Sequence, residues 1–457
     1  MARGRTGNIS EGTDDICDVL IVGGGFGGVF CGLELETHMK KAAKTTKKPK
    51  VILVSEQNFL LFSPLLPEAA SGTLEPRHCV TPIRQLLRST QLVSGRVTTI
   101  DKDARRAAVI DVKGRNFEIT FKILVLSPGS VPSIFPIPGL VEHAHGFKSL
   151  PDAIWLRNRL LAQLEAAEST YDPVQKRELL TFTFVGGGYA GIEALAELDS
   201  MSKDACVFYH NVSPSDFRWV MIEGTSTLLP GINEKLAKYS EVQLKNRGVE
   251  FHFNTRLISC EDHVVVTDDD SIEPYKSSTI IWTAGQRPSS LASESGFAVN
   301  DRGKLEVNEY MQVKGMTEIY AVGDCANVPD PDGGYCPATA QHAMRQGRIA
   351  GRGVAADYGL AIRRPFNYRT RGLAVTLGKG IGTAQVFGKT YTGWIAWMMG
   401  RAYHLAMMPG FARRLQILGD WFVGTFFDRD LSELGDLGHP ARLDEPVSKV
   451  FRISRKS

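Results

Sequence analysis

The chain has 457 residues, of which 43% are hydrophobic and 23% charged, and its formal net charge is +3. A single domain usually has about 100–200 residues, so two or three domains are expected. The nearly neutral charge gives no reason to expect nucleic-acid binding, which requires a strongly basic surface. The seven cysteines show no spacing that suggests a metal site or a disulfide framework, and their odd number fits a reducing compartment.

The first 16 residues are polar and lack the apolar core of a secretory signal, which predicts a short disordered tail. No stretch supplies the roughly 20 apolar residues that span a bilayer. We therefore expect that the chain does not cross a membrane, although it could still bind the surface of one.

A short apolar strand, predicted over Cys17–Val22, leads directly into a glycine-rich loop. The loop satisfies the pattern G-x-G-x-x-G at Gly23, Gly25 and Gly28. These glycines permit a tight turn, a close approach to a pyrophosphate, and close packing of the helix predicted over Val29–Met39. The next predicted strand, Val51–Ser55, ends at Glu56, whose carboxylate would accept hydrogen bonds from an adenosine ribose. Together these features predict a dinucleotide site.

The same pattern recurs after a second apolar strand, predicted over Leu180–Val185. The glycines of this copy are Gly186, Gly188 and Gly191. A further strand, Phe217–Ile222, ends at Glu223, which favours a free ribose 2′-hydroxyl and repels a 2′-phosphate. NADH is therefore expected rather than NADPH, with Arg218 as the feature that complicates this choice. Since both copies keep every glycine and the acid, two bound dinucleotides are predicted.

Three later strands complete the pattern. Two of them end in small-residue turns at Gly129 and Gly285, and a third, Ile319–Asp324, delivers the carboxylate of Asp324. A carboxylate at such a strand end can accept hydrogen bonds from the ribityl hydroxyls of a flavin. In this order the landmarks resemble those of the two-dinucleotide-binding flavoprotein disulfide reductase superfamily, whose nicotinamide domain is inserted into the flavin domain.

This resemblance implies an α/β fold with two Rossmann-like, glutathione-reductase-like domains and a C-terminal amphipathic helical segment. The expected units are an FAD domain at 17–150 and 296–385, an NADH domain at 151–295, and a C-terminal segment at 386–457.

Four segments most resemble type II NADH dehydrogenase, the non-pumping NADH:quinone oxidoreductase. They are Phe62–Gly72, Thr183–Glu193, Pro337–Gly347 and Trp394–Phe427. The resemblance implies that NADH passes a hydride to FAD and that the reduced flavin passes two electrons to a quinone. The flavin would carry the redox chemistry, while the protein orients the reactants and excludes water.

The resemblance also assigns individual residues. Glu193 matches the glutamate that handles protons or charge near the flavin and nicotinamide rings, although a glutamate in the first turn of a helix also stabilises the helix dipole. Gln341 and Gln346 match the amides of the quinone segment, A-Q-x-A-x-Q-Q. Arg345 departs from that segment and would favour a more polar or acidic acceptor, unless it pairs with an acid. Lys379 is a weaker candidate for the rim of the quinone pocket.

Two amphipathic helices are predicted near the C-terminus, over Trp394–Met408 and Phe411–Phe427, separated by Pro409-Gly410. The second places apolar residues at helical spacing, namely Leu415, Leu418, Trp421 and Phe422. Such helices suit a membrane interface, here the cytoplasmic side of the cell membrane. The same apolar stripes could instead form core or a homodimer interface.

Four other functions compete with this interpretation. Sulfide:quinone oxidoreductases and disulfide reductases need cysteine pairs near the flavin, whereas this chain has no cysteine between Cys79 and Cys206. A soluble NADH-dependent reductase of a quinone-like biosynthetic intermediate remains the alternative, because of Arg345. A flavin-bound interaction protein that uses NADH only as a conformational ligand is disfavoured by Glu193 and Gln341.

Overall fold

The computed structural model describes residues 15–43, 46–370 and 372–433. Most of the tail predicted at residues 1–16 lies outside these ranges, as do residues 434–457 of the C-terminal segment. The end of the predicted tail differs from the prediction, because Asp15–Ile16 forms a strand that pairs in parallel with Asn116–Thr120.

The first domain is built on an eight-stranded sheet. Five neighbouring strands on one side of the sheet are parallel, and the sheet continues as an antiparallel meander of three strands that shares its first strand with them. A short strand at the far edge pairs in parallel with the last strand of the meander. In spatial order the strands are Asp15–Ile16, Asn116–Thr120, Arg106–Asp111, Gln91–Asp101, Val51–Ser55, Val19–Val22, Ile123–Leu126 and Ile319–Ala321. The central strands are apolar and buried on both faces, as expected for a parallel sheet covered by helices.

The second domain is an insertion with its own five-stranded parallel sheet. Its strands are, in spatial order, Ala144–Gly146, Thr279–Trp282, Thr181–Val185, Arg218–Glu223 and Val249–Phe253. The sheet therefore begins before residue 151, where the sequence placed the start of this domain. The chain passes between the two domains at Ser130–Pro132 and at Gln286–Pro288, and these two segments pair as a short antiparallel ribbon.

The C-terminal part of the described chain forms an antiparallel sheet followed by two helices. The strands are Gly372–Thr376, Gly382–Val386 and Lys389–Thr392, and the helices are Gly393–Met407 and Phe411–Phe426. Val375 and Leu377 share a hydrophobic core with the helices of the inserted domain. The sheet thus crosses the expected boundary at residue 385 and packs on the second domain, because its buried face is complementary to that core.

The remaining elements cover the sheets. The longer helices are Phe26–Lys41, Leu150–Glu168, Pro173–Leu179, Tyr189–Cys206, Glu234–Lys245 and Ala340–Asp357. The short helices are Leu66–Ala70, Ile83–Leu86, Leu140–His143 and Leu291–Glu294, and 3-10 turns lie at Ser63–Leu65, Pro76–Cys79, Pro214–Asp216, Glu261–His263 and Gly323–Cys325. Short paired strands lie at Phe59–Leu61 with Val80–Pro82, Leu257–Ser259 with Val264–Thr267 and Tyr275–Lys276, and Leu305–Glu306 with Ala326–Asn327.

Candidate functional site

The first glycine-rich loop has the geometry that a pyrophosphate requires. Gly23 has φ +103°, and a Cβ there would lie 2.2 Å from the carbonyl oxygen of Ser127. A Cβ on Gly28 would lie 2.0 Å from the carbonyl oxygen of Gly23, so both positions admit only glycine. Beside Gly25, by contrast, there is open space. Gly25 caps helix Phe26–Lys41 without a side-chain hydrogen bond, which leaves the helix N-terminus available to an anion.

The backbone of the second loop has nearly the same geometry as that of the first. Gly186 has φ +108°, and a Cβ on Gly191 would lie 2.3 Å from the carbonyl oxygen of Gly186. The space beside Gly188 is open, and this residue caps helix Tyr189–Cys206 without a side-chain hydrogen bond. Both loops can therefore hold the phosphates of a dinucleotide.

The acids that follow the two glycine-rich loops, Glu56 and Glu223, differ in their surroundings. Glu56 is exposed and makes no hydrogen bond within the described part of the chain. Glu223 instead accepts hydrogen bonds from the backbone N–H of Gly187 at 2.5 Å and from the N–H and hydroxyl of Thr225, each at 2.8 Å. A carboxylate has about four lone-pair sites, so a ribose hydroxyl can still bind it.

Arg218, the residue that complicated the choice of nucleotide, is engaged elsewhere. Its guanidinium donates to both carboxylate oxygens of Glu250 at 2.8–3.1 Å and stacks over the ring of Tyr275 at 4.1 Å. The nucleotide side of the second loop therefore keeps the negative charge of Glu223.

Asp324 lies where the two domains meet. It is part of the 3-10 turn that follows Ile319–Ala321, and it accepts a hydrogen bond from the hydroxyl of Ser130 at 2.6 Å. Lys148 donates to the same hydroxyl at 2.7 Å and to the side chain of Gln286. Ser130 directly follows Gly129 and Gln286 directly follows Gly285, so both predicted turns lead into this polar cluster.

The quinone segment forms the first turns of helix Ala340–Asp357, but its amides are not equivalent. Gln341 is half-buried, accepts a hydrogen bond from the hydroxyl of Tyr368 at 2.9 Å and donates to the carbonyl oxygen of Gly372 at 3.3 Å. Gln346 is buried and accepts from the backbone N–H of Gly323 at 2.9 Å. Gln341 is thus placed at the end of a neighbouring strand, whereas Gln346 positions the turn that carries Asp324.

Arg345 is held by its own helix and by an aromatic ring. It donates to the carbonyl oxygen of Gln341 at 2.9 Å, and its guanidinium lies 3.9 Å from the centre of the Tyr368 ring. The ring contact is a cation–π interaction that does not neutralise the charge. Among the described residues, Arg345 forms no ion pair with an acid, which was the alternative that the sequence left open.

Strand Gly372–Thr376 joins this segment to Glu193. The carboxylate of Glu193 accepts from the backbone N–H of Thr376 at 2.9 Å and from its hydroxyl at 3.3 Å. Gln341 contacts the other end of the strand, four residues and roughly 13 Å away. Glu193 and Gln341 therefore contact the two ends of the same strand, Gly372–Thr376, which we call the floor of the site.

Glu193 titrates near neutral pH. Burial, with a smaller contribution from the carboxylates of Glu197 and Glu68, raises its pKa to about 8, although the hydrogen bonds from Thr376 oppose the shift. At pH 7 the side chain is therefore mostly protonated and can donate a proton.

The buried carboxylates next to Glu193 attach the C-terminal helices to the site. Glu68 pairs with Arg401 at 3.3 Å and accepts a hydrogen bond from the indole of Trp421 at 2.6 Å. Burial raises the pKa of Glu68, although Arg401 opposes the shift. Glu197 accepts from the hydroxyl of Ser71 at 3.0 Å and lies 3.8 Å from Arg429. Trp421, expected on the outer apolar stripe, therefore faces inward.

The outer face of these two helices is apolar and exposed. Side chains that are 41–74% exposed include Trp394, Ile395, Met398, Phe411, Leu415, Leu418, Phe422, Val423 and Phe426. Within the described ranges, no helix combines the length and the apolar character needed to cross a bilayer.

Lys379 lies apart from the other predicted site residues. It is exposed in the turn after Gly372–Thr376. The preceding residue, Gly378, packs close to Ser200, about two helical turns beyond Glu193. Conversely, sequence reasoning missed Tyr368 and Thr376, which hold Gln341 and Glu193. Neither lies in a recognisable motif, so only their contacts identify them.

The chain is similar in sequence and in fold to known proteins. The family described as pyridine nucleotide-disulphide oxidoreductase matches residues 17–347. A relative from Mycobacterium tuberculosis (strain ATCC 25618 / H37Rv), named type II NADH:quinone oxidoreductase Ndh, is 28% identical over 429 residues, which cover 91% of this chain and 89% of the relative. A type II NADH:quinone oxidoreductase from Staphylococcus aureus (strain NCTC 8325 / PS 47) is 29% identical over 381 residues, covering 82% and 91%.

Among solved structures, NDH2 from Plasmodium falciparum in complex with NADH is similar with a TM-score of 0.81 and 18% identity, covering 92% of this chain and 100% of that chain. The predicted fold class, α/β with two Rossmann-like domains, is confirmed.

Proposed function

Because this chain belongs to the pyridine nucleotide-disulphide oxidoreductase family, we propose that it is an FAD-dependent NADH:quinone oxidoreductase that does not pump protons. The observation that carries this proposal is that the helices next to the two dinucleotide loops contact one strand, Gly372–Thr376. Glu193, on the helix that follows the second loop, contacts one end, and Gln341, on the helix packed against the first loop's helix, contacts the other. The names of the relatives from Mycobacterium tuberculosis and Staphylococcus aureus support the same activity.

The residues of the first loop fit FAD. The open space beside Gly25 and the uncapped helix N-terminus suit its pyrophosphate, Glu56 suits the adenosine ribose, and Asp324 suits the ribityl hydroxyls. The open space beside Gly188 and the acid Glu223 suit NADH in the same way. FAD would accept a hydride from NADH and return two electrons to a quinone.

The protein's own contribution is to position reactants and supply a proton. Reduction of a quinone to a quinol consumes two protons, and Glu193 holds one at neutral pH because its pKa is raised to about 8. The side-chain amide of Gln341 is suited to a quinone carbonyl without adding charge. Its present partners, Tyr368 and Gly372, are at the edge of the same floor.

The alternative, a soluble reductase of a quinone-like intermediate, depended on Arg345. Its guanidinium is directed onto Tyr368 and toward the carbonyl oxygen of Gln341. That engagement reduces its availability to an acidic substrate and makes the quinone the better-supported acceptor.

Steady-state NADH oxidation tests the proposal. The assay compares menaquinone, ubiquinone and soluble quinone analogues with oxygen as the acceptor. We expect at least one quinone to accelerate flavin reoxidation, and the proposal fails if none exceeds oxygen. A protein that NADH reduces but that never turns over would instead indicate a flavin-bound interaction protein.

We further propose that the two C-terminal helices hold the protein on the cytoplasmic side of the cell membrane, where a lipid-soluble quinone is found. Their polar residues Arg401 and Trp421 turn inward to Glu68, so that the outer face is left with exposed Leu418 and Phe422. This arrangement suits insertion into the interface between lipid headgroups and chains. A homodimer that buries the same face is the competing explanation.

Vesicle sedimentation and mass measurement distinguish the two. The double substitution Leu418→Asp and Phe422→Asp should abolish sedimentation with lipid vesicles, while Tyr171→Asp, at another exposed apolar position, should not. A protein that does not sediment, but whose mass falls from dimer to monomer in the double variant, would favour the homodimer.

A further inference from the structure

Three metal-binding side chains meet beside the quinone segment, in a place the proposed electron path does not use. The donor atoms of Asp330, Cys336 and His342 all lie within 4.8 Å of one another. Cys336 is 8% exposed and His342 is 2% exposed, whereas Asp330 is half-buried. A carboxylate, a thiol and an imidazole are three different ligand types, so the group is more than an acidic patch.

The local fold brings these residues together. Asp330 and Cys336 belong to the two sides of a hairpin in which Pro329 pairs with Tyr335. One carboxylate oxygen of Asp330 accepts a hydrogen bond from the backbone N–H of Asp332 at 2.9 Å. The other carboxylate oxygen takes no part in this turn. His342 lies in the first turn of helix Ala340–Asp357, directly after the hairpin.

The ring of His342 is oriented by threonine hydroxyls on both sides. Its Nδ1 lies 2.8 Å from the hydroxyl of Thr339, and its Nε2 lies 3.5 Å from the hydroxyl of Thr370. The second contact is at the limit of hydrogen-bond length, so this nitrogen is weakly satisfied. The thiol of Cys336 lies 3.7 Å from the carbonyl oxygen of Pro329 and also interacts with the side chains of Asp330 and Gln346. The Nε2 atom of the buried His342 ring therefore leaves room for a stronger partner.

We propose that Asp330, Cys336 and His342 bind one divalent transition-metal ion of the zinc class. Zinc takes carboxylate, thiolate and imidazole ligands at about 2.0–2.3 Å, which sets ligand-to-ligand distances of roughly 3.3–3.8 Å in a tetrahedron. The widest of the three separations would have to shorten by at most about 1–1.5 Å. Three protein ligands leave a fourth position for solvent.

The ion would connect the hairpin to the start of helix Ala340–Asp357. That helix carries Gln341 and Gln346, and Gln346 holds the backbone of Gly323 next to Asp324. The metal site would therefore fix the segment between the proposed flavin and quinone positions. Five residues lie between successive ligands, a spacing that matches no familiar metal motif, which is why the cysteine spacing did not predict the site.

Zinc binding by the full-length, FAD-loaded protein tests the site. Metal-free protein is titrated with zinc against a chromophoric chelator, and alkylation of Cys336 is followed by mass spectrometry with and without zinc. We expect one zinc per chain and strong protection of Cys336 from alkylation. Asp330→Asn, Cys336→Ser and His342→Gln should each lower the affinity at least about 10-fold.

Matched controls are available in the inserted domain. Cys206→Ser replaces a cysteine of similar exposure, 7%, and His210→Gln replaces an exposed histidine, so neither should change zinc binding. The retained FAD spectrum reports folding of each variant. If Cys336→Ser does not fold, the zinc affinity of Asp330→Asn, at a half-buried position, tests the proposal instead. Wild-type protein that holds no zinc, or controls that lose as much affinity as the ligand variants, would overturn the proposal. Neither readout depends on NADH:quinone activity.

Discussion

The two glycine-rich loops have nearly the same backbone but different neighbours. In the first copy, helix Phe26–Lys41 packs backbone to backbone on helix Ala340–Asp357. A Cβ on Gly347 would lie 2.2 Å from the carbonyl oxygen of Gly27, and one on Gly351 would lie 2.3 Å from that of Cys31. In the second copy, helix Tyr189–Cys206 instead presents Glu193 to a strand.

We infer from this difference that both loops provide the same kind of phosphate site, while the element packed beside each loop determines which side chains a bound dinucleotide would face. The first loop is fixed to the helix that carries Gln341. The second loop leads into the helix that carries the half-buried Glu193, whose pKa is raised to about 8. The predictions below are intended to separate these two roles.

The largest effects are expected from the third glycine of each loop. Gly28→Ala should yield protein without FAD and without activity, because the new Cβ meets the carbonyl oxygen of Gly23. Gly191→Ala should keep FAD but slow its reduction by NADH about 100-fold, which corresponds to about 3 kcal/mol of overpacking. Flavin absorbance and stopped-flow reduction measure the two losses.

Gly146→Ala is the control, since nothing lies within 4 Å of its added Cβ. If Gly191→Ala lost FAD while Gly28→Ala kept it, the assignment of the two loops would be reversed.

The next largest effect is expected at Glu193. Glu193→Gln keeps the shape of the side chain but replaces the carboxylic acid with an amide that cannot release a proton. Quinone-dependent turnover should therefore fall about 100-fold and lose its pH dependence near pH 8. Glu261→Gln, at an exposed acid, should leave the pH profile unchanged. A Glu193→Gln variant with wild-type turnover would remove Glu193 from the proton step.

Glu193 should also affect stability. Its folded-state pKa of about 8 lies above the ordinary value of 4.5, so the folded protein retains a proton that the unfolded chain has lost. The free energy of unfolding of the wild type should therefore fall as pH rises from about 5 to 8. Glu193→Gln should show a smaller decline in denaturant titrations over the same range, and identical slopes would contradict the raised pKa.

A smaller effect is expected for nucleotide choice. Glu223→Arg should shift the preference from NADH toward NADPH about 10-fold in kcat/KM, because a cation replaces the acid facing the ribose. Arg218→Gln should leave the preference unchanged, since Arg218 is bound to Glu250. Unchanged selectivity in Glu223→Arg would limit Glu223 to its observed hydrogen bonds with Gly187 and Thr225.

The smallest effect separates the two amides of the quinone segment. Gln341→Ala should slow flavin reoxidation by quinone about fivefold, as expected for one hydrogen bond of about 1 kcal/mol, and leave reduction by NADH intact. Gln346→Ala should instead weaken FAD retention, because its partner is the backbone next to Asp324. Equal losses in both half-reactions of Gln341→Ala would contradict its place at the acceptor end.

Much of the fold was accessible from the sequence because its signals are local. The predicted strand Val51–Ser55 is present as such, and the other predicted strands and both C-terminal helices are present with ends shifted by one to three residues. Domain limits were less accessible: Ala144–Gly146 and Gly372–Thr376 both pack with the inserted domain. Their partners are distant in sequence, and short strands carry no signal of which sheet they join.

The sequence by itself indicated the two dinucleotide loops, because the third glycine of each is required by the carbonyl oxygen of the first, only five residues earlier. Only the tertiary structure decided that Gln346 supports a turn, that Trp421 faces Glu68, and that Asp330, Cys336 and His342 meet. These outcomes depend on hydrogen bonds and burial between elements far apart in the chain. A side chain's partner is fixed by packing, which no short stretch of sequence encodes.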